Sequence, residues 1–318
     1  MNLLNKFVVA TLPAVPRPIV RYFANRYIAG EEVVDAFHVV NRLNAKGMTA
    51  TLDVLGEDIH EREEALGARD NIIEVLKSIS QERIESNVSI KLTQLGLKLD
   101  KNFCLDNARM IVSTAHALEN FVRIDMEDST CTEDTLRIYG RLGKEFDNVG
   151  IVLQAYLRRT EEDAKALIRD GFKNFRLCKG IYVEPEAIAY KKKDEINGNF
   201  IRVLKLMLQN KTYVGIATHD DALIDAASRM IAEMHLERSQ YEFQMLLGVR
   251  SELRAEVLRA GHRLRVYVPF GKHWYQYSLR RFKENPQVAA YVFKALFDRH
   301  HSKLNTHPGK NHKGDGNG

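Results

Sequence analysis

The sequence has few cysteines, no long apolar run and little excess charge of either sign. Its three cysteines, Cys104, Cys131 and Cys178, are odd in number and far apart, which argues against a disulfide framework or a zinc cluster. The apolar stretch from Phe7 to Val20 is interrupted by prolines and an arginine, and it is shorter than the roughly 20 residues of a transmembrane helix. These absences predict a cytoplasmic protein.

Charge and glycine patterning exclude two further classes. The 47 Lys and Arg residues exceed the 42 Asp and Glu residues by five, which is too small and too evenly spread an excess for a nucleic-acid-binding surface. Neither the G-x-G-x-x-G pattern of a Rossmann turn nor the G-x-x-x-x-G-K-[ST] pattern of a P-loop occurs. Any dinucleotide would therefore have to be bound by the ends of the strands themselves.

Short apolar or β-branched segments alternate with longer amphipathic segments along most of the chain. The predicted strands begin near Met48, Asn87, Phe121, Gly150, Asn174, Tyr213, Tyr241 and Arg263. Helical patterns lie between them, as in 161–169, 220–238 and 251–259, and Thr160 and Ser251 are expected to be N-caps. Eight strand–helix units in about 270 residues predict an α/β fold with a (βα)8 barrel. A doubly wound sheet is the alternative, because alternation alone does not show that a sheet closes.

The pattern divides the chain into three predicted parts. Residues 1–46 form an N-terminal helical arm, which includes a helix over Val33–Leu43, and residues 47–298 form the catalytic barrel. Residues 299–318 are rich in His, Asn and Gly, cannot bury a core and are expected to be a disordered tail.

Polar residues recur where the predicted strands end, and the carboxyl ends of barrel strands carry the active site. These residues are Lys91, Asp125, Glu127, Gln154, Tyr156, Arg176, Lys179, Tyr182, Thr218, His219, Asp220, Glu242, Gln244 and Tyr267. Polar side chains at buried strand ends are costly unless they are paired or used. A full ring of them predicts a site for a large polar ligand.

The segment after the last strand, 267–286, predicts a helix beside this site. On a helix, Tyr277 and Arg281 share a face, as do Arg280 and Glu284, because each pair is four residues apart. Adjacent arginines suit a carboxylate, which accepts parallel hydrogen bonds from guanidinium groups. The segment therefore predicts a carboxylate-binding helix.

Taken together, the motifs resemble the FAD-dependent proline dehydrogenases. The matching stretches begin at TLDVLGE (51–57) and continue in family order as VSIKLTQLGL (88–97), RIDMED (123–128), LQAYLRR (153–159), FRLCKGIY (175–182), ATHD (217–220), YEFQMLLG (241–248) and YVPFG…YSLRRFKENP (267–286). They span nearly the whole chain apart from the arm and the tail. The length suits the monofunctional enzymes, without an aldehyde dehydrogenase module.

The resemblance implies a distorted (βα)8 barrel with FAD across the carboxyl ends of the strands and a helix after strand eight over the site. The implied cofactor-binding residues are Gln154, Arg176, Lys179, Gly180, Thr218 and His219. The implied substrate-binding residues are Lys91, Arg280 and Arg281, and the implied catalytic residues are Arg176, Tyr267, Tyr277 and Asp125. Glu57, Glu284 and Tyr182 are implied gate or supporting residues, and a Glu57–Arg280 pair is expected to close over the substrate. No metal is implied.

The implied reaction transfers a hydride from C5 of L-proline to N5 of the flavin and yields Δ1-pyrroline-5-carboxylate, the first step of proline catabolism to glutamate. The substrate nitrogen must lose its proton first, so the rate is expected to rise with pH. A membrane quinone is the implied electron acceptor, which places the protein at the inner face of the cytoplasmic membrane. A separate pyrroline-5-carboxylate/glutamate-semialdehyde dehydrogenase would consume the product.

Three other interpretations remain at this point. A folate-type flavin reductase also binds FAD in a barrel, but it does not need Arg280 and Arg281. A Schiff-base aldolase would use Lys179 as the imine-forming residue. A barrel that binds an amino acid or the membrane without chemistry would leave the ring of polar strand ends unexplained.

Overall fold

The computed structural model describes residues 20–21, 24–56, 59–275 and 277–278. The chain divides into two compact units, one formed by residues 27–273 and the other by residues 1–26 together with 274–318. In the second unit, the Arg21 guanidinium carbon lies 4.6 Å from the centre of a Trp274 ring. The first unit, called the barrel unit below, contains every strand among the described residues. The predicted boundaries after residues 46 and 298 remain predictions.

The barrel unit alternates strands and helices. The strands are β1 Thr49–Val54, β2 Ser86–Ile90, β3 Val122–Ile124, β4 Val149–Gln154, β5 Asn174–Cys178, β6 Tyr213–Ala217, β7 Tyr241–Leu246 and β8 Leu264–Phe270. The helices are α1 Val33–Asn44, α2 Arg62–Glu82, α3 Lys101–Ala117, α4 Ser129–Glu145, α5 Thr160–Arg169, α6 Lys193–Gln209, α7 Asp221–Glu233 and α8 Ser251–Arg259, and a 3-10 turn spans Thr93–Leu95. Each predicted strand is confirmed and begins at the predicted residue or next to it.

The eight strands form one closed parallel barrel in sequence order, with β8 paired to β1. Closure confirms the predicted (βα)8 barrel and excludes the doubly wound sheet. Helix α1, predicted from its apolar spacing, packs on β1 and β8 and buries Ala36, Phe37, Val40 and Leu43.

The interior of the barrel is polar, and the apolar strand residues face the helices. Arg176 on β5 forms hydrogen bonds with Asp125, directly after β3, and with Gln244 on β7. Strands that are not neighbours can meet in this way only across the interior. Because successive side chains of a strand point to opposite faces, residues such as Leu177 and Phe243 point outward into the apolar core. Most barrels of this type fill the interior with branched apolar residues instead.

Two predicted helix N-caps are wrong. Thr160 is the first residue of α5, and its hydroxyl donates a hydrogen bond of 2.5 Å to the carbonyl oxygen of Gln154 instead of capping the helix. Ser251 is likewise the first residue of α8, because Arg250 adopts a left-handed conformation with φ of 44° at the N-cap position. In both cases a contact or conformation at the end of a strand–helix loop overrides the local capping preference.

Replacing Phe243 tests the close packing of the layer between strands and helices. Phe243 is fully buried on β7, and its ring centre lies 5.0 Å from that of His262. We expect Phe243→Ala to lower the free energy of unfolding by about 3–5 kcal/mol, because apolar burial is lost and a cavity remains. The measurement is urea unfolding followed by circular dichroism. Val34→Ala, at a 54% exposed position of α1, is the control and should change the free energy by less than about 0.5 kcal/mol. Equal effects of the two substitutions would contradict the packing argument.

Candidate functional site

A buried ion pair between Asp125 and Arg176 lies in the polar interior. Nη1 of Arg176 is 2.8 Å from Oδ1 of Asp125, and Nε of Arg176 donates a hydrogen bond of 2.5 Å to Oε1 of Gln244. All three side chains are buried. The guanidinium is planar and is bonded on two edges, so its orientation is fixed by residues on two other strands.

Asp125 is also an acceptor for two hydroxyl groups. The Tyr267 hydroxyl lies 2.7 Å from Oδ2 of Asp125, and the Ser89 hydroxyl lies 2.5 Å from Oδ1. Burial raises the pKa of Asp125, but Arg176 and Lys91 outweigh this effect and leave the pKa below its ordinary value. Burial and the neighbouring Asp125 carboxylate raise the pKa of Tyr267 well above its ordinary value. Asp125 is therefore a carboxylate at neutral pH, and Tyr267 is a neutral donor to it.

Lys91 joins a second carboxylate to this group. Its Nζ donates a hydrogen bond of 2.7 Å to Oδ1 of Asp53 and lies 3.7 Å from Oδ2 of Asp125. Burial raises the pKa of Asp53 more than Lys91 lowers it. With both carboxylates ionised, Asp53 and Asp125 balance the charges of Lys91 and Arg176. A substrate carboxylate would therefore need further positive charge to bind next to this group.

A second polar cluster lies beyond β5 and β6. Nζ of Lys179 is 2.6 Å from Oδ2 of Asp220, and the other carboxylate oxygen of Asp220 accepts a hydrogen bond from the backbone of Ala222 at the start of α7. Burial raises the pKa of Asp220, but hydrogen bonds from Lys179 and Asn197 outweigh it and hold the pKa well below its ordinary value. The ammonium group of Lys179 is thus held in place at the end of β5.

Thr218 and His219 are fixed by backbone contacts in the same region. The Thr218 hydroxyl oxygen accepts a hydrogen bond from the backbone N–H of Asp220, at 3.1 Å. Nε2 of His219 accepts a hydrogen bond from the backbone N–H of Leu246, at 2.9 Å. Accepting at Nε2 places the imidazole proton on Nδ1.

Gln154 and Gly180 are two further features at these strand ends. Among the described residues, Oε1 of Gln154 is buried and has no hydrogen-bond partner, while the amide nitrogen of Gln154 donates to the carbonyl oxygen of Met126. An unpartnered buried acceptor is costly, and a ligand N–H group would satisfy it. Gly180 has φ of 99°, and a Cβ there would lie 2.0 Å from the Tyr156 ring. Only glycine lets the backbone pass Tyr156 this closely.

The structure thus brings the predicted residues of the barrel unit into two groups. The first contains Lys91, Asp125, Arg176 and Tyr267, and the second contains Gln154, Lys179, Gly180, Thr218 and His219. Tyr182 is partly exposed in the loop after β5, and Tyr277 is buried in the second unit. The remaining predicted residues, Glu57, Arg280, Arg281 and Glu284, lie outside the described residues.

Sequence reasoning gave no role to Asp53 and Ser89, although both contact the central group, and it placed Gln244 only in the ring of polar strand ends. A signal for the first two was present in the alternation of the strands. Thr51 and Asp53 alternate with apolar residues in β1, and Ser89 and Lys91 do so along β2. Polar residues spaced by two along a buried strand share a face, and that face is the interior of the barrel.

The comparisons with known proteins agree with this arrangement. A family model described as proline dehydrogenase matches residues 36–293. Proline dehydrogenase 1 of Bacillus subtilis subsp. natto is 39% identical over 279 residues, which cover 88% of this chain and 92% of that protein. Proline dehydrogenase of Deinococcus radiodurans is 36% identical over 278 residues, which cover 86% of this chain and 89% of that protein.

A solved structure shares the fold. Proline utilization A from Bdellovibrio bacteriovorus, inactivated by N-propargylglycine, matches with a TM-score of 0.79 and 26% identity. The match covers 84% of this chain and 33% of that longer chain, so this chain spans about a third of its length. The family match over most of the sequence, together with the closed barrel, shows that the chain belongs to the proline dehydrogenase family, the enzymes that oxidise proline in its catabolism.

Proposed function

We propose that the protein oxidises L-proline to Δ1-pyrroline-5-carboxylate with FAD as the hydride acceptor, in the first step of proline catabolism to glutamate. The observation that carries this proposal is the fixed Asp125–Arg176–Tyr267 group next to strand ends that have an unpartnered acceptor at Gln154. A bound FAD supplies, at N5, an acceptor for the hydride that leaves C5 of proline.

The residues of the second group fit such a cofactor. Oε1 of Gln154 can accept a hydrogen bond from a ring N–H, and Gly180 lets the backbone pack against Tyr156 beside it. Lys179 has a partly exposed ammonium group that can also bind a phosphate while Asp220 holds it in place. Thr218 and His219 would bind other polar groups of the nucleotide. Arg176 would add a fixed positive charge, which favours a reduced anionic ring.

The first group would hold the substrate. Lys91 and Tyr267 would contact proline, and Asp125 would keep both of them oriented. Because the charges of Lys91 and Arg176 are already opposed by Asp53 and Asp125, the substrate carboxylate requires the positive charge of Arg280 and Arg281. Tyr277 would pack on the proline ring. Glu57, Glu284 and Tyr182 would support closure, with a Glu57–Arg280 pair over the bound substrate.

Neither Tyr267 nor Asp125 suits the role of general base. The pKa of Tyr267 is raised and the pKa of Asp125 is lowered, so neither takes up a proton readily near neutral pH. The proline ammonium would therefore lose its proton to solvent before hydride transfer. The contribution of the protein is then orientation, because a clamped carboxylate fixes the position of C5.

The oxidised product and the electrons both require further reactions. The electrons are proposed to pass to a membrane quinone, with the protein at the inner face of the cytoplasmic membrane. Among the described residues, no helix combines the length and apolarity needed to cross a bilayer. The product would be oxidised by a separate pyrroline-5-carboxylate/glutamate-semialdehyde dehydrogenase.

An absorption spectrum of the purified protein, recorded before and after anaerobic addition of L-proline, tests cofactor and substrate together. We expect a flavin spectrum that bleaches when L-proline is added, because the electrons remain on the cofactor when no acceptor is present. Glycine, which has no C5, is the control and should leave the spectrum unchanged. A flavin spectrum that does not respond to L-proline would favour a folate-type reductase. A colourless protein that FAD does not restore would overturn the proposal.

Replacing Tyr267 tests the origin of the pH dependence. We expect Tyr267→Phe to lower kcat/KM for proline about tenfold, since the hydrogen bond to Asp125 contributes roughly 1–1.5 kcal/mol to orientation. The midpoint of the rise of kcat/KM with pH should not move, because the raised pKa of Tyr267 keeps its hydroxyl protonated throughout that range. The measurement is steady-state kinetics between about pH 6 and 10 with an artificial electron acceptor. Tyr241→Phe, whose hydroxyl bonds His262 outside the site, is the control. A shifted midpoint in Tyr267→Phe alone would identify Tyr267 as the titrating group.

Replacing Lys179 separates the flavoenzyme from a Schiff-base aldolase. Lys179 is paired with Asp220, and a paired ammonium is a poor nucleophile. We expect Lys179→Met to bind FAD at least tenfold more weakly, by loss of a charge-assisted hydrogen bond of roughly 1.5–3 kcal/mol, and to retain proline oxidation when FAD is in excess. FAD titration and turnover measure the two effects. Covalent trapping of a carbonyl compound by borohydride in the native protein, lost in Lys179→Met, would instead support the aldolase.

A further inference from the structure

A polar cavity of about 450 Å³ opens at the amino-terminal end of the barrel, away from the site described above. Thr49, Ser86, Asn174 and Tyr213 line it, and they are the first residues of β1, β2, β5 and β6. Cavities that bind small molecules have volumes of roughly 300–1,000 Å³. The cavity therefore has room for a ligand of a few non-hydrogen atoms, and nothing in the proposed reaction uses it.

Arg123, on β3, supplies a buried positive charge to this cavity. It is 2% exposed, and its terminal nitrogens donate hydrogen bonds only to neutral oxygens, the carbonyls of Ile151 and Asn174 and the amide oxygen of Asn174. Its Nε has no partner, and no carboxylate among the described residues forms an ion pair with it. Burial, with repulsion from Arg176, lowers the pKa of Arg123. Glu242 attracts Arg123 without forming a direct ion pair with it. A buried cation without a direct ion pair is costly, and a bound carboxylate would offset that cost.

Glu242 is the second residue of β7 and supplies a negative charge to the same cavity, so its predicted place at the carboxyl end of that strand is wrong. One carboxylate oxygen, Oε1, accepts hydrogen bonds of 2.6 Å from both Arg265 and Gln244. The other, Oε2, is buried, and the Tyr213 phenol interacts with the same carboxylate. Burial raises the pKa of Glu242, but Arg265 outweighs it and leaves the pKa lowered.

The outer part of the cavity is acidic. Glu85 and Glu119 line it and are exposed, and Glu119 adopts a left-handed conformation with φ of 53°. A purely anionic ligand would be repelled by these two carboxylates. A ligand with a carboxylate at one end and an ammonium group at the other matches a cationic interior and an acidic opening.

We propose that this cavity binds a small free amino acid, with its carboxylate against Arg123 and its ammonium group toward Glu85 and Glu119. The site is separate from the carboxyl ends of the strands, so it does not depend on the proposed reaction. The same charges would discriminate against simple carboxylates, which lack the ammonium group, and against phosphate.

Calorimetric titration of the full-length protein with L-alanine and with propionate tests this site, because the two probes differ by the ammonium group. We expect L-alanine to bind more tightly than propionate and phosphate. Arg281→Met, which removes part of the predicted substrate clamp, should leave one L-alanine site, whereas Arg123→Met should lose it. No L-alanine binding, or unchanged L-alanine binding in a folded Arg123→Met variant, would overturn the proposal. Phosphate binding as tightly as L-alanine would also overturn it.

A second variant keeps the test decisive if Arg123→Met does not fold. Glu85→Gln with Glu119→Gln changes only exposed side chains and should leave the fold intact. We expect it to weaken L-alanine binding about three- to fivefold, as for exposed charge pairs, and to leave propionate binding unchanged or slightly tighter. An equal effect on both probes would show that these glutamates do not contact an ammonium group.

Discussion

The polar interior of the barrel depends on the ion pair between Asp125 and Arg176. Neither charge is tolerable alone in a buried position, since removal of one partner of such a pair costs about 3–5 kcal/mol. The pair is possible because closure of the sheet brings β3 and β5 around a common interior, where Gln244 and Tyr267 complete the hydrogen bonding from β7 and β8. The site therefore depends on closure of the barrel, because the strands that close it also supply the partners of each charge.

Pairing has a chemical consequence for the reaction. The contacts that hold Asp125 and Tyr267 also move their pKa values apart, downward for the carboxyl group and upward for the phenol. Each group is locked in one protonation state over the neutral range. Such groups bind and orient well but exchange protons poorly. A reaction that needs hydride transfer from a positioned carbon is well served by this arrangement.

The sequence was enough to predict the barrel, because eight short strand patterns separated by helices leave few other folds. It also identified Lys91, Asp125, Arg176 and Tyr267, since polar residues at buried strand ends are conspicuous. Neither Asp53 nor the pairing of Gln244 with Arg176 was predicted, because Lys91 and Asp53 are 38 residues apart and Arg176 and Gln244 are 68 apart. Pairings of that kind depend on which side chains face each other across the interior. The expected caps at Thr160 and Ser251 were wrong for a related reason, since local preference gave way to tertiary contacts.

The side-chain amide of Gln244 has only one favourable orientation. Its oxygen faces the guanidinium of Arg176, and its nitrogen faces the carboxylate of Glu242. A flipped amide would turn its N–H donors toward the guanidinium of Arg176 and its oxygen toward the carboxylate of Glu242, and both hydrogen bonds would be lost. Glu242 in turn is bonded to Arg265, so polarity is ordered continuously from one mouth of the barrel to the other. Barrels are usually divided into a face that determines stability and a face that performs chemistry. In this barrel the two ends are connected through Gln244. A substitution chosen for stability at the amino-terminal end, near Glu242, would therefore also change how Arg176 is held near the carboxyl end.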